Sequence, residues 1–211
     1  MPPHLESRLR TIKFAYYLKK IGYEVTIISS SFMHNMEIDL ISGNDKYIER
    51  EYDGLRFIHI KTLKYKGNGF RRFYSLFQFH IKLYLMRKRI PHPDVISHIA
   101  LPPFGNLIYY CAKKLNSKYI VEVLDLWPES FVAFGLIHKS NPLLKLAYRT
   151  ERWLYGKADE LVFSMEGGRD YIIDKKWDNE HNGPVNLDKV HYINNGVDLT
   201  DFEYYRRNYV L

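Results

Sequence analysis

The stretch KYIVEVLDLWPES, Lys118 to Ser130, joins a short run of strand-forming residues to a loop that opens on an acid. Tyr, Ile and two Val with no Gly or Pro predict a strand over Lys118 to Val123. Asp125 then falls just past the carboxyl end of that strand. In open parallel sheets this is the end that binds ligands. Outward from this stretch, strand and helix alternate. Upstream, the periodicity predicts a helix near Phe104 to Leu115, a strand around Asp94 to His98 and a helix from Phe70 to Arg89. Downstream, Pro142 opens a helix that runs to Tyr155 and is expected to stop at Gly156, since Pro suits the first helical turn. Glu160 to Ser164 (ELVFS) then reads as a strand, Glu166 to Lys175 as a helix and Lys189 to Ile193 as a last strand. This alternation predicts an α/β fold, a Rossmann-like parallel sheet with helices on both faces.

Nearer the start, Leu5 to Ile21 is amphipathic at helical spacing, with Gly22 as its C-terminal stop. Glu24 to Ser29 (EVTIIS) is apolar enough for a strand buried on both faces. After a polar loop, Tyr47 to Tyr52 and Leu55 to Lys61 alternate around Asp53-Gly54, a turn pair that predicts strands at a sheet edge. A doubly wound domain opens with its central strand and a glycine turn, yet here the pattern begins at the following helix. The first strand is therefore expected to be missing.

Composition narrows the function classes. Cys111 is the one cysteine, in an apolar helical stretch, which excludes a disulfide framework and a multi-cysteine metal site and fits a reducing, cytoplasmic setting. His4, His34 and His98 have no metal-like spacing, so no metal is expected. No apolar run approaches the roughly 20 residues that span a bilayer. The net charge of +7 is concentrated: Arg56 to His92 holds ten Lys or Arg, no Asp or Glu, and eight aromatic residues. The rest of the chain carries 21 basic against 24 acidic residues.

Three stretches together resemble glycosyltransferase family 4: YKGNGFRRF (Tyr65 to Phe73), VEVLDLWPES (Val121 to Ser130) and KVHYINNGVDLTDF (Lys189 to Phe202). The branch they resemble transfers fucosamine or related deoxyamino sugars in surface-polysaccharide assembly. The resemblance runs from about Arg8 onward and implies the amino-terminal half of a GT-B enzyme. Residues 1–198 would form the acceptor-side domain and 199–211 the start of an interdomain linker, with the C-terminal donor-binding domain absent. It implies a retaining enzyme without a cofactor beyond its nucleotide-sugar substrate, which the absent domain would bind. The acceptor would be a polyprenyl-diphosphate-linked saccharide at the inner face of the cytoplasmic membrane, for O-antigen or capsule synthesis. A fragment of this kind is expected to be inactive alone. Two other readings are open: a non-catalytic Rossmann-like module that binds a membrane or partner, and a different nucleotide-dependent Rossmann enzyme. No glycine-rich phosphate fingerprint follows the first strand to favour the latter.

Within this frame Asp125 is the candidate catalytic residue, placed to orient an acceptor hydroxyl or assist its deprotonation; capping of a local turn is the competing role. Trp127 and Glu129 of the same loop are candidates for acceptor binding, with packing the alternative for the tryptophan. Arg8, near the first helix's amino end, is a candidate for phosphate binding because free NH groups and the helix dipole favour an anion there. Ser164 ends ELVFS, where N-capping competes with contact to the cleft. Asn195 and Gly196 are cleft or hinge candidates, and Asn-Gly predicts a turn.

On a helical wheel, Phe70 to Arg89 presents two apolar stripes. Phe70, Phe73, Tyr74, Phe77, Ile81, Tyr84 and Leu85 form the first, which is expected to pack on the sheet. Leu76, Phe79, Leu83 and Met86 form the second. An anionic membrane surface would satisfy this second stripe and its neighbouring cations; cover by the polar loop of residues 31–46 or by the absent domain is the competing reading. The membrane-docking candidates are therefore Lys64, Lys66, Arg71, Arg72, Phe79, Lys82 and Met86. A nucleic-acid partner is not expected, since no recognised binding module accompanies the basic segment.

Overall fold

The structure is a computed structural model that describes residues 10–34, 36–67, 69–100 and 104–208. Helix α1 (Arg10–Lys20) leads to strand β1 (Thr26–Ser30). Its end is a Schellman-type stop: Gly22 takes φ +100° and the Tyr23 amide donates to the Leu18 carbonyl at 3.0 Å, the backbone solution glycine permits. A small antiparallel pair follows, β2 (Phe32–Met33) and β3 (Ile38–Asp39), inside the stretch expected as a polar loop. Strands β4 (Tyr47–Tyr52) and β5 (Leu55–Ile60) form the expected hairpin. Asp53 and Gly54 both take positive φ, 50° and 73°, which matches the right-handed twist of the flanking strands.

Beyond the hairpin come α2 (Phe70–Met86), β6 (Val95–Ile99), α3 (Gly105–Leu115), β7 (Lys118–Val123), the short α4 (Glu129–Ala133), α5 (Pro142–Lys157), β8 (Glu160–Phe163), α6 (Gly168–Asp174), β9 (Val190–Tyr192) and α7 (Leu199–Asn208). Strands β6, β7, β8 and β9 form one fully parallel sheet in that order. A second sheet has the order β1-β5-β4, with β1 parallel to β5. Among the described residues no ladder joins β1 to β6, yet both sheets feed one core, in which Ile58 and Ile60 of β5 meet Val121, Leu154 and Phe163. Alternation along β5 places helices on both faces. Leu55 and Phe57 meet Ala15 of α1, whereas Ile58 and Ile60 join the cluster containing Leu83 of α2. The Rossmann-like α/β architecture read from the sequence is the one observed.

Two local expectations are corrected, and the segment expected to begin a linker is given its secondary structure. The helix expected to stop at Gly156 continues to Lys157, after Asn141 caps its start by accepting from the Leu143 amide at 2.9 Å. Gly156 serves close approach instead: a Cβ there would lie 2.8 Å from Cβ of Pro184. Residues 199–208, read as the start of a linker, are helical. The two stripes of α2 are also reversed. Leu83 is buried in the core and Phe79 and Met86 pack against it, while Phe70, Phe73, Tyr74, Phe77 and Leu85 are exposed.

The core also holds a carboxyl group. Glu151 of α5 is fully buried and accepts from the Tyr155 and Tyr171 hydroxyls at 2.8 and 2.9 Å. Burial raises its pKa to about 8, against the opposing pull of those two hydrogen bonds. His98 accepts or donates at 2.8 Å to the Tyr119 hydroxyl, and burial lowers its pKa to about 3; burial does the same to His59, to about 4. Among the described residues, no helix is long and apolar enough to cross a membrane.

Candidate functional site

The carboxyl ends of β7, β8 and β9 are bonded side by side. The Ser164 amide donates to the Val123 carbonyl at 3.1 Å and the Ile193 amide to the Phe163 carbonyl at 2.9 Å. The loops that follow these strands, 124–128, 164–167 and 193–198, therefore share one rim. Asp125 lies on it, exposed, two residues past the buried Val123. The Ser164 hydroxyl donates to the Leu124 carbonyl at 3.4 Å and caps no helix, because α6 begins four residues later behind Gly167. Ser164 thus ties the β8 loop to the Asp125 loop.

Arg10 organises the rim from the first turn of α1. Its Nε donates to Glu122 of β7 at 2.5 Å, one terminal nitrogen to the Asn194 carbonyl at 2.9 Å and Asn195 Oδ1 at 3.1 Å, and the other to the Ile193 carbonyl at 2.9 Å. The two side chains of this ion pair are only 10% and 9% exposed. One turn along, Lys13 pairs with Asp198 at 2.7 Å, and Tyr17 donates to the same carboxylate at 3.2 Å. Asp198 holds the Tyr17 hydroxyl's pKa above its ordinary value through that hydrogen bond. Residues at i, i+3 and i+7 of a helix share a face, so α1 clamps the whole segment 193–198 along one stripe. Asn195 is held by this clamp. Gly196 takes no positive φ and the segment forms no turn, contrary to the Asn-Gly expectation.

The rest of the DLWPES loop is braced from within the domain. Trp127 meets Phe131 edge to face with ring centroids 4.0 Å apart, and the Trp127-Pro128 peptide is cis. The Glu129 carboxylate accepts from Lys175 Nζ at 2.5 Å and from the Tyr148 hydroxyl at 2.6 Å. Burial opposes its ionisation, but these two hydrogen bonds and the Lys175 charge outweigh that and leave its pKa below the usual value. Glu129 thus acts as a strut between α4, α5 and α6. A pocket of about 180 Å³ opens beside β8 and β9, lined by Phe163, Met165, Glu166, Arg169 and Tyr192 among others.

Arg8 lies outside the described residues. Of the candidates for membrane docking, Lys64 lies 3.7 Å from the buried Asp39 and Lys66 lies 3.8 Å from Glu37. Lys82 turns inward to donate to the Lys61 carbonyl at 2.6 Å; burial, with the Lys61 charge, lowers its pKa. Arg71 is exposed and Arg72 half-buried. Phe79 and Met86 face the core, so the membrane-docking role read for these two is withdrawn: the sheet beneath α2 takes their side of the helix.

Sequence reasoning missed Arg10, Lys13, Tyr17, Glu122 and Asp198. The available signals were the helical spacing of the first three and a lone glutamate inside the apolar run IVEV.

No curated protein matches the chain. The family described as Glycosyltransferase Family 4 matches residues 10–201. That span includes both sheets, the rim and the clamp, and the chain therefore belongs to glycosyltransferase family 4, as a domain of the GT-B architecture.

Proposed function

We propose that this domain forms the acceptor-side wall of a retaining sugar transferase. The donor is a nucleotide-linked deoxyamino sugar of the fucosamine class. The acceptor is a polyprenyl-diphosphate-linked saccharide at the inner face of the cytoplasmic membrane, in O-antigen or capsule assembly. The observation that carries this reading is Asp125: an exposed carboxylate at the carboxyl end of a buried parallel strand, on a rim whose other loops are fixed by Ser164 and Arg10. Asp125 orients the acceptor hydroxyl and draws on its proton as the new bond forms. Trp127 offers an apolar wall beside it, and Arg8 takes an acceptor phosphate. Glu129, committed to Lys175 and Tyr148, shapes the loop rather than meeting the sugar.

Ligand pockets usually enclose about 300–1,000 Å³, more than the opening of about 180 Å³ beside β8 and β9. A second Rossmann-like domain joined after α7 closes the cleft in this reading and binds the nucleotide sugar. Its NH groups and cations carry the leaving diphosphate.

The test is a transfer assay in detergent micelles with a panel of nucleotide sugars and a polyprenyl-diphosphate-linked acceptor. It compares the chain alone with the chain joined to a donor-binding domain. Product is expected from the joined form only, and Asp125→Asn should slow it by roughly tenfold or more with an unchanged unfolding midpoint. Absence of product from every donor, or full activity in Asp125→Asn, would sink the reading.

A further inference from the structure

The stretch from Ser130 to Thr150 contains no acidic residue and carries Lys139, Lys145 and Arg149, all exposed. It also displays Phe134, Leu136, Leu143 and Leu146, which are between 62% and 79% exposed. Leu144 is the residue by which this part of α5 reaches the core. Four large apolar side chains projecting among cations, with no acid between them, are the surface chemistry of an element that rests in the headgroup region of an anionic bilayer.

Topology places a second patch on the same side of the sheets. Helices α2, α3 and α5 pack consecutively, and each connects the carboxyl end of one parallel strand to the amino end of another. Each helix therefore starts on the carboxyl-end side of the sheets, the side of the Asp125 rim, with Gly105 at the start of α3 packed on Leu154 in the last turn of α5 and the first turn of α5 projecting beyond that contact. Phe70, Phe73 and Phe77 occupy the first half of α2, and Phe73 and Phe77 meet Phe104 at the start of α3 with ring centroids 4.7 and 5.3 Å apart. Phe70 is 80% exposed, with Arg71 exposed beside it. Leu85, in the last turn of α2, lies at the opposite end and is not part of this face.

We propose that the protein rests on an anionic bilayer through two elements, the first turns of α2 and the α4-α5 connection, with Phe134, Leu136, Leu143 and Leu146 inserted between headgroups. The inference depends on the reading that the acceptor is carried in a membrane, and it adds a docking element outside the basic segment Arg56 to His92. It orients the domain as well: the rim carrying Asp125 faces the interface from which a lipid-linked acceptor would rise.

The experiment measures partition into vesicles of phosphatidylcholine alone and of phosphatidylcholine with an equal part of phosphatidylglycerol, at moderate salt. The wild type is expected to partition into the anionic vesicles. The variant Phe134→Ser, Leu136→Ser, Leu143→Ser and Leu146→Ser should partition at least about tenfold more weakly with an unchanged unfolding midpoint, because all four side chains are exposed. In a Cys111→Ala background, an environment-sensitive fluorophore on Leu136→Cys should shift to the blue on vesicle addition and be quenched by nitroxide-labelled lipid.

Equal partition of the quadruple variant and the wild type, a fluorophore that stays water-like, or equal binding to both vesicle types would overturn the inference. A blue-shifted fluorophore without lipid, in a sample that sediments as a dimer, would do the same by assigning the patch to a second copy of the chain. The transfer assay runs in micelles and needs no bilayer, so loss of vesicle binding with transfer intact removes this inference alone.

Discussion

Arg10→Ala should lower the unfolding free energy of the domain by about 3–5 kcal/mol, the usual result of leaving one partner of a buried ion pair uncompensated. Against a total of about 5–15 kcal/mol for a typical domain, that removes between about a fifth of the stability and all of it. Glu122 is 7% exposed and sits in β7 between β6 and β8, so water reaches its carboxylate less readily than the guanidinium does. The Ile193 and Asn194 carbonyls lose their donor in the same step. Urea unfolding measures the loss. The double variant Arg10→Met with Glu122→Leu separates the two contributions. Replacing a buried pair by apolar residues of similar size is often neutral or stabilising, so its midpoint should return toward that of the wild type. Residues 193–195 should stay untethered in it, with faster amide exchange at Asn195. A wild-type midpoint in Arg10→Ala would show that the pair is not held as described.

Stability should pass through a maximum near pH 6.5 and fall by roughly 1 kcal/mol or somewhat less between pH 6.5 and 8, the one-proton slope of up to about 1.4 kcal/mol per pH unit being partly offset by the last histidine protons that the unfolded chain sheds over the same range. The alkaline side belongs to Glu151. Its pKa is about 8 in the fold and 4.5 as the free side chain, so over this range the native state holds a proton that the unfolded chain has lost, and stability falls as pH rises. Burial dominates that shift, while the Tyr155 and Tyr171 hydroxyls and the Lys175 charge oppose it and the Glu129 charge adds to it.

The acid side has the opposite sign. His59 and His98 stay neutral in the fold down to about pH 4 and 3, and burial also lowers the pKa of His80. Below 6.5 the unfolded chain takes up protons that the native state refuses, and stability falls as pH falls. Glu151→Gln should flatten the alkaline limb and keep the acid one. Thermal melts across this range provide the check, and a wild-type profile that is level from pH 6.5 to 8 would refute the assignment to Glu151.

Local chemistry made most of the fold legible. The Asp53-Gly54 pair encodes its own positive φ values, Gly22 its helix stop and Asn141-Pro142 its helix start, so those boundaries fall within a residue or two of expectation. The position of Asp125 followed from the strand before it. The clamp was not legible, because Arg10 reaches partners 112 to 185 residues away in the chain and nothing in the neighbouring sequence encodes that meeting. Helix α2 shows a different limit. Its two stripes are similarly apolar, and periodicity reveals that both exist without revealing which one the sheet lies under. Only packing decides, and it buries the side with Leu83 rather than the side with Phe73. Gly156 was read as punctuation when its use is steric, against a proline 28 residues later that no local window contains.

The joint between the two sheets works as a bearing. Between β1 and β6 the described residues offer interlocked side chains and no ladder, and side-chain packing resists separation more than it resists small rotations. Helix α1 spans that joint. It is seated on one sheet through Ala15 against Leu55 and Phe57 and bolted to the other through Arg10 and Glu122. From Ala15 to Arg10 the arm is about 7.5 Å long at 1.5 Å per residue, and a swing of about 4° moves its tip by about 0.5 Å. The tip holds Asn195, so a slight roll of one sheet against the other would load segment 193–198 of the rim on which Asp125 stands.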